Sequence, residues 1–566
     1  MKKLMKNMAA RIAVLALVAG ALAFLVYYVT LPAMNVHNTG FWMYLFFLFL
    51  LTGGVVGVFD LSNILSAQAQ RFSAPKKSNV VREQGKSCWL KKTWVSKIGI
   101  AVIVLPIVVL IIGGVFSSTV FNARRYANVI DVEELVFEED MPSVSKITNI
   151  ALVDTESARI LGTRKLGALA NVVSQYVVSQ NYTQINYKGH PMKVASLEYD
   201  GFFKWFNNRD KGVPGYIMVD AVNNKADYVE LSDGIIYTES AFFGEDLERK
   251  LRFEYPTKIF QHISFEVDEN GKVWYVVACA TARVGLFGAM DIHEVILFDP
   301  VTGDSSLMAV EDTPSWVDIV YDGYLACEKY DWKGIYSGGF LNSIIGNRGC
   351  KQTTDDFGYI MRDDDVWYFT GVTSVTADES NIGFVLSCAR TGAYKFYSVE
   401  GAEEHSAMGA AEGEVQEKEY YASFPTLVNI AGEPTYIMVL KDANALVKLY
   451  ALVNVEQYNI VATAETQSDV IAAYIQLLSK SGVDISGSQN PEDLVKIKIQ
   501  DIKFLSMSGT DFAYLTAEDG KVYRIEFNAS NEAVVLLKSG DTVSVDAVLD
   551  EKTGIYHVRL WEKDEE

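Results

Sequence analysis

The residue types that do chemistry are sparse in this 566-residue chain. Its histidines stand at His37, His190, His262, His293, His405 and His557, with no HExxH and no two at metal-ligand spacing, so no zinc centre is expected. There is no GxSxG. The outer SxxK, Ser143 to Lys146, falls in a presumed stalk that lacks the scaffold a Ser-Lys hydrolase needs. No GxxxxGK[ST] or GxGxxG follows a strand and opens a helix, which removes nucleotide chemistry. Paired carboxylates remain, because an acidic, aromatic-rich region offers many candidates whose pairing depends on the fold. No residue is therefore put forward as catalytic, cofactor-binding or metal-binding, and no cofactor is expected.

Turns rich in Asp, Asn and Gly recur at Asp220 to Lys225, Asp268 to Lys272 and Asp299 to Asp304, with a related turn at Arg390 to Tyr394. Each reads as a hairpin whose carboxylate caps its own backbone, without calcium, since the further oxygen ligands and distal Glu of an EF-hand are missing. Asp363, Asp364 and Asp365 likewise suit a solvated turn before a strand at Val366 to Gly371. Of five cysteines, Cys88 lies near the N-terminus and Cys279, Cys327, Cys350 and Cys388 lie beyond residue 116. Those in apolar runs read as buried thiols, and Cys327 with Cys350 is kept as a candidate bridge.

The elements that hold these residues divide by charge. Residues 1–116 carry twelve Lys and Arg against Asp60 and Glu83, near +10, while the remaining 38 basic and 69 acidic residues leave the rest near −31. So acidic a body repels phosphate, which excludes nucleic acid as its partner. Three uncharged runs, 12–31, 41–59 and 98–116, are each close to the roughly 20 residues of a spanning helix. They predict a transmembrane anchor over 1–116. The loop 61–97 holds eight basic residues and the loop 32–40 none, which places the N-terminus and the basic loop in the cytoplasm and the large C-terminal region outside. The expected location is thus the plasma membrane, multi-pass, with lipid as one partner. Gly53 and Gly57 stand at GxxxG spacing, which permits close helix contact within the bundle or in a homo-oligomer.

Residues 117–145 read as an acidic stalk. Between 146 and 481 the signals are mixed α+β: an amphipathic helix opening at Asp154, helical spacing over Lys165 to Val178, and a further helix at Ser196 to Asn208. The aromatic cluster in that last helix, Tyr199, Phe202, Phe203, Trp205 and Phe206, reads as core packing. Short β-rich runs follow from Tyr216. Thr466 and Asp469 cap a helix ending near Lys480, and Ser481 to Pro491 is a polar linker. Over 492–563, strands are expected at Leu494 to Leu505, Phe512 to Thr516, Lys521 to Phe527, Ala533 to Lys538, Thr542 to Val548 and Tyr556 to Trp561. This unit, with Ser539-Gly540-Asp541-Thr542-Val543, resembles an OB-fold-like barrel.

Over residues 146–480, the segments Pro214-Gly215-Tyr216-Ile217-Met218-Val219-Asp220, Leu297-Phe298-Asp299-Pro300-Val301-Thr302-Gly303-Asp304, Pro314-Ser315-Trp316-Val317-Asp318 and Phe369-Thr370-Gly371-Val372-Thr373-Ser374 resemble an uncharacterised family of membrane-anchored envelope proteins from Gram-positive bacteria (Firmicutes). The unit ending in Asp-Pro-Val-Thr-Gly-Asp is similar to PepSY-type modules, associated with protease inhibition or regulation outside the cell, which implies two such subdomains in 146–481. The expected fold is a membrane-anchored α+β chain: three N-terminal transmembrane helices, a large β-rich extracytoplasmic region with short helices, and a small C-terminal β-barrel. The expected function is that of a non-enzymatic, membrane-anchored envelope protein that binds or regulates a protein or cell-wall partner. An extracytoplasmic hydrolase acting on glycan or peptide through paired carboxylates is the alternative.

Overall fold

The computed structural model of the chain describes residues 8–52, 86–143, 150–354, 356–376, 380–481, 495–507, 510–527, 532–550 and 553–563. Strands dominate, gathered into four sheets and a closed barrel. The first sheet pairs Tyr176–Val178, His190–Tyr199, Val213–Asp220 and Lys225–Ile235, with Thr183–Tyr187 also on His190–Tyr199. The second is a meander of Ile259–Val267, Val273–Val284, Gly288–Phe298 and Ser305–Ala309. The third is built on Asp365–Ser374 and Ser380–Cys388, and the fourth on Glu433–Lys441 and Val447–Asn454. The hairpin turns are self-capped: Asp220 Oδ1 accepts from the amides of Val222 and Asn223 at 2.9 Å, Asp268 Oδ1 from Asn270 and Lys272 at 2.9 Å, and Asp299 Oδ1 from Val301 at 2.9 Å. Gly271 and Gly303 supply the left-handed turn positions at φ +83° and +79°.

Each sheet is apolar on both faces, and the faces meet in cyclic order. Ile185, Leu197 and Ile217 of the first sheet share a core with Phe265, Val277 and Phe298 of the second. The second packs its other face on Val317, Val320 and Leu325, which lead into the third. Phe369, Phe384 and Tyr397 of the third meet Tyr436, Met438 and Ala451 of the fourth. The ring closes where Leu152 joins the core of the fourth sheet while its amide donates to Ala221 O of the first, at 2.9 Å. All four sheets reach one cavity, which they line together. Helix Thr155–Gly167, N-capped by Asp154, covers the first sheet, and helix Gln467–Lys480 covers the fourth.

The barrel closes in the order Val495–Met507, Thr510–Ala517, Val522–Phe527, Ile555–Lys563, Thr542–Asp550. Val522–Phe527 and Ile555–Lys563 run parallel, and the other pairs are antiparallel. The strand expected at Ala533 to Lys538 is a 3-10 helix, Glu532–Leu536, which places Val534 and Leu537 in the barrel core.

Three transmembrane helices are not found among the described residues. Among the described residues no single helix is long and apolar enough to cross a membrane; the apolar stretches are Ala16–Thr30 and Thr39–Thr52, and a bent pair, Ala101–Ser117 with Thr119–Ala127, passes only when the two are joined across a 52° break. The break comes at Ser118, whose extended backbone (ψ 154°) interrupts the helix, and the segment beyond it carries Arg124 and Arg125. Most of the basic loop and the end of the 41–59 run lie outside the described residues, and helix Lys86–Ser117 begins within the stretch expected as that loop.

The expected stalk is also built into the fold. Helix Thr119–Ala127 places Tyr126 against Trp332, and Glu133–Leu135 adds to the third sheet parallel to Lys395–Tyr397. Phe137 is buried, and Asp140 receives two bonds from the Arg362 guanidinium at 2.5 and 2.9 Å and one from the Tyr397 hydroxyl. Those partners hold the Asp140 carboxyl far below the usual range, the Arg362 bonds first, which keeps it charged and fixes this acidic segment to the sheet. Helical spacing misled twice more: Lys165 to Val178 divides into the end of one helix, the short helix Ala170–Val173 and the strand Tyr176–Val178, and Ser196 begins inside a strand. Cys279, Cys327, Cys350 and Cys388 are all free thiols, so Cys327 and Cys350 are not bridged.

Between the third and fourth sheets, Glu404 is buried at the start of helix Glu404–Glu414, accepting from the Gly371 amide at 2.6 Å and the Thr354 hydroxyl at 3.2 Å. Burial raises its carboxyl from 4.5 to about 7. A raised acid binds its proton more tightly in the folded state, so the stability it contributes is complete below the unfolded value and is lost as pH rises through the folded one. Chemical denaturation of wild type and Glu404→Gln from pH 4 to pH 8 is expected to show the wild type losing ground as pH rises, by on the order of 3 kcal/mol at the top of the range. A difference that stays flat would show that the carboxyl is ionised throughout.

Candidate functional site in the central cavity

The centre of the ring is a cavity of about 640 Å³ with walls from all four sheets. The first sheet and its connections contribute Asn181, Gln184, Lys193 and Glu239; the second contributes His262, Phe265 and Tyr275. The third sheet and the segments leading to it add Asp322, Tyr324, Asp356, Tyr359 and Tyr368, and the fourth adds Phe424 and Thr426. Two helices, Thr155–Gly167 and Gly323–Tyr336, begin at this cavity, each capped by an aspartate: Asp154 accepts from Ser157 N at 2.7 Å and Asp322 from Leu325 N at 3.0 Å.

The most unusual part of the wall is one cross-strand pair. Gln184 on Thr183–Tyr187 lies directly opposite Lys193 on His190–Tyr199, so the two side chains share a face of the sheet. Both are only 1% exposed. Neither the amide nitrogen nor the amide oxygen of Gln184 has a hydrogen-bond partner. Lys193 Nζ reaches the Thr155 hydroxyl at 3.4 Å and sits 4.4 Å above the Tyr359 ring, but among the described residues no carboxylate pairs with it. Burial lowers the lysine to about 8, with the Asp154 charge opposing that and Arg159 adding to it. Asp154 is itself committed to Lys441, 2.5 Å away on the fourth sheet. Lys193 is thus a buried cation at neutral pH without a close counter-charge, an arrangement that packing alone disfavours.

Across the cavity, burial holds His262 below its ordinary value, opposed by Asp322. Tyr324 and Phe357 contact edge to face at 5.3 Å, with Tyr324 largely exposed, and supply an apolar wall beside these polar groups. Among the described residues no cluster of three or more His, Cys, Asp or Glu side chains suits a metal ion. Ser143, the candidate serine of the SxxK, forms a β-bridge with Asn429 away from this cavity, and Lys146 lies outside the described residues.

Carboxylates close enough to influence one another occur at Glu239 with Glu198, where Glu239 lines the cavity and is raised by burial first and then by Glu198, and at Glu266 with Asp318, which hold the framework. Glu266 accepts from the amides of Asp318 and Ile319 at 2.8 and 3.1 Å and from the Ser264 hydroxyl at 2.7 Å, while Asp318 accepts from the Asn186 amide at 2.8 Å. Burial raises both, and in Asp318 the neighbouring Glu266 raises it further. The pair ties three sheets together and does not line the cavity.

No protein-family model matches the chain, and no curated protein matches it. Among solved structures it is similar to an exo-β-1,3-galactanase from Phanerochaete chrysosporium, crystallised with β-1,3-galactotriose, at 9% identity over 60% of each chain with a TM-score of 0.15. A TM-score that low supports no common fold.

The sequence did carry a trace of this site. Lys193 interrupts an apolar run, Val194-Ala195-Ser196-Leu197, and a lysine inside such a run is a candidate buried charge. Its partner is set by the strand pairing, which places Lys193 opposite Gln184. If the lysine is held for binding, removing its charge relieves the fold. Lys193→Met is expected to raise stability at pH 7 by about 1–2 kcal/mol in chemical denaturation. A loss of that size would instead make Lys193 a structural residue.

Proposed function

We propose that this chain is a non-enzymatic protein of the cell envelope, working on the outer side of the membrane, that binds a partner in its central cavity. The observation that carries this reading is the Gln184–Lys193 pair, a buried amide without a hydrogen-bond partner beside a buried cation whose one hydrogen bond is to the Thr155 hydroxyl at 3.4 Å. A carboxylate or phosphate group entering the cavity supplies what they lack, since a buried ammonium gains most from an anion brought into the same low-dielectric site. The aromatic wall of Tyr324, Phe357 and Phe424 suits the apolar body behind such a group. The partner is therefore an acidic segment of a cell-wall polymer or of an envelope protein. Entry of an anion into a chain of net charge −21 needs such a local cation.

Calorimetric titration of the full-length protein tests this with two probes, glycerol-phosphate oligomers and wall stem peptides with free carboxylates, each beside a neutral analogue. The charged probe of one class is expected to bind at least about tenfold more tightly than its neutral analogue, and Lys193→Met is expected to abolish the difference. Equal binding of charged and neutral probes, or none, overturns the reading. Turnover of the wall fragments overturns it in favour of a hydrolase.

A further inference from the structure

A second feature lies on the outside of the first sheet. Helix Phe202–Asn208 and the turn before Leu247–Glu254 bring together Phe202, Phe203, Phe206, Phe242 and Phe243 in ring-to-ring contact, with Phe202 on Phe242 at 5.1 Å and on Phe203 at 5.6 Å. Trp205 fills the space beneath them and is buried, its Nε1 donating to Glu245 at 2.7 Å. The expectation of core packing thus holds for Trp205 and Tyr199, whereas Phe203 is 78% exposed, Phe243 58% and Phe206 55%. Scattered exposed apolar residues are normal on a soluble surface, but a contiguous aromatic patch marks an interaction site.

The patch does not end at the sheet. Arg249 donates to Phe243 O at 2.8 Å while its guanidinium lies 4.4 Å above the Tyr28 ring, and Phe253, one turn further along the same helix, contacts Tyr27 at 5.6 Å and Phe24 at 6.3 Å. Arg249 thus bridges the phenylalanine patch to a second aromatic group that continues onto the stretch Ala16–Thr30. That stretch has no charged residue, and it exposes Leu17, Phe24, Leu25 and Val29. A water-soluble partner has a polar rim to match, whereas a helix apolar on every side is matched by hydrocarbon. At the edge of the patch the half-exposed Arg209 guanidinium lies over Phe206 at 5.4 Å and pairs with the exposed Asp210 carboxylate at 3.7 Å, which leaves the aromatic rings to make the contact.

We propose that the phenylalanine patch formed by Phe202, Phe203, Phe206, Phe242 and Phe243 inserts into the interfacial layer of a phospholipid surface, alongside the apolar N-terminal helices. This rests on the reading of an envelope protein at a membrane, but not on the cavity or its ligand. Burial of each phenylalanine against lipid draws the first sheet to the surface and fixes how the ring of sheets stands on it.

The test is photolabelling of the full-length protein reconstituted in vesicles of phosphatidylcholine and phosphatidylglycerol, with a phospholipid carrying a diazirine near the headgroup end of one acyl chain, read by peptide mass spectrometry. Adducts are expected on the peptides covering 202–206 and 242–243 as well as on the N-terminal helices. The variant Phe203→Ser/Phe206→Ser/Phe243→Ser is expected to lose the patch adducts by at least about tenfold while its helix adducts and far-ultraviolet dichroism stay unchanged. Adducts confined to the helices overturn the proposal, as do crosslinks joining the patches of two copies without lipid adducts. Binding of the anionic probes to the cavity is scored separately, so either reading fails without the other.

Discussion

A sheet with two apolar faces has to be covered twice, and here neighbouring sheets cover one another while helices Thr155–Gly167 and Gln467–Lys480 cover the remaining faces of the first and fourth. Nearly all of the core follows from that constraint. Strands such as Val273–Val284 and Glu433–Lys441 are buried along almost their whole length, as expected of strands that face apolar neighbours on both sides. A ring closed in this way also traps polar groups at the joins. They are met by cross-ties: Glu266 accepts amides that lead into the third sheet, Asp154 meets Lys441 between the first and fourth, and Asp140 meets Arg362. Removing one partner of such a tie leaves the other buried and unmatched, which costs more than the tie itself contributes.

The same closure makes the cavity. Four twisted sheets around an axis leave a space that their inner side chains must fill or line, and here the lining is mixed, with aromatic rings, carboxylates, an amide and a lysine. Glu266 and Lys193 show how two buried titratable groups differ in kind. The Glu266 oxygens are matched by two amides and a hydroxyl that hold the sheets together. Lys193 has one long hydroxyl contact and a ring face, and its cross-strand neighbour is an amide with no partner at all. The first arrangement is complete within the protein, and the second leaves capacity for something brought from outside.

Where the reading of the sequence diverged from the structure, it did so for identifiable reasons. The segment 117–145 is acidic, which by itself suggests solvation; Asp140 is charged yet largely sheltered because Arg362 and Tyr397, more than 200 residues later, come to meet it. The apolar runs near the N-terminus have the composition of membrane spans, yet the helix that holds the third ends at a bend at Ser118, just beyond the run, that composition does not encode. The run from Ser196 to Asn208 has aromatic spacing that suits a helix, but its first residues are strand, with Ser196 opposite Tyr216 and Leu197, Glu198 and Tyr199 opposite Tyr176–Val178, and the change at Gly201 uses a φ of +91°.

By itself, the sequence determined what local physics controls: hairpin turns capped by their own aspartates, the helix caps at Asp154 and Thr466, the charge division between the N-terminal residues and the rest, and the absence of the short motifs that catalysis on metals or nucleotides requires. The tertiary structure alone decided which strands share a sheet, that the sheets close a ring, that Lys193 stands opposite Gln184 at a cavity wall, and that three phenylalanines of one aromatic cluster face outward while its tryptophan is buried. The division follows sequence distance. Turns and caps are settled within about four residues, whereas burial and counter-charge depend on partners brought from far along the chain, and no local pattern specifies those.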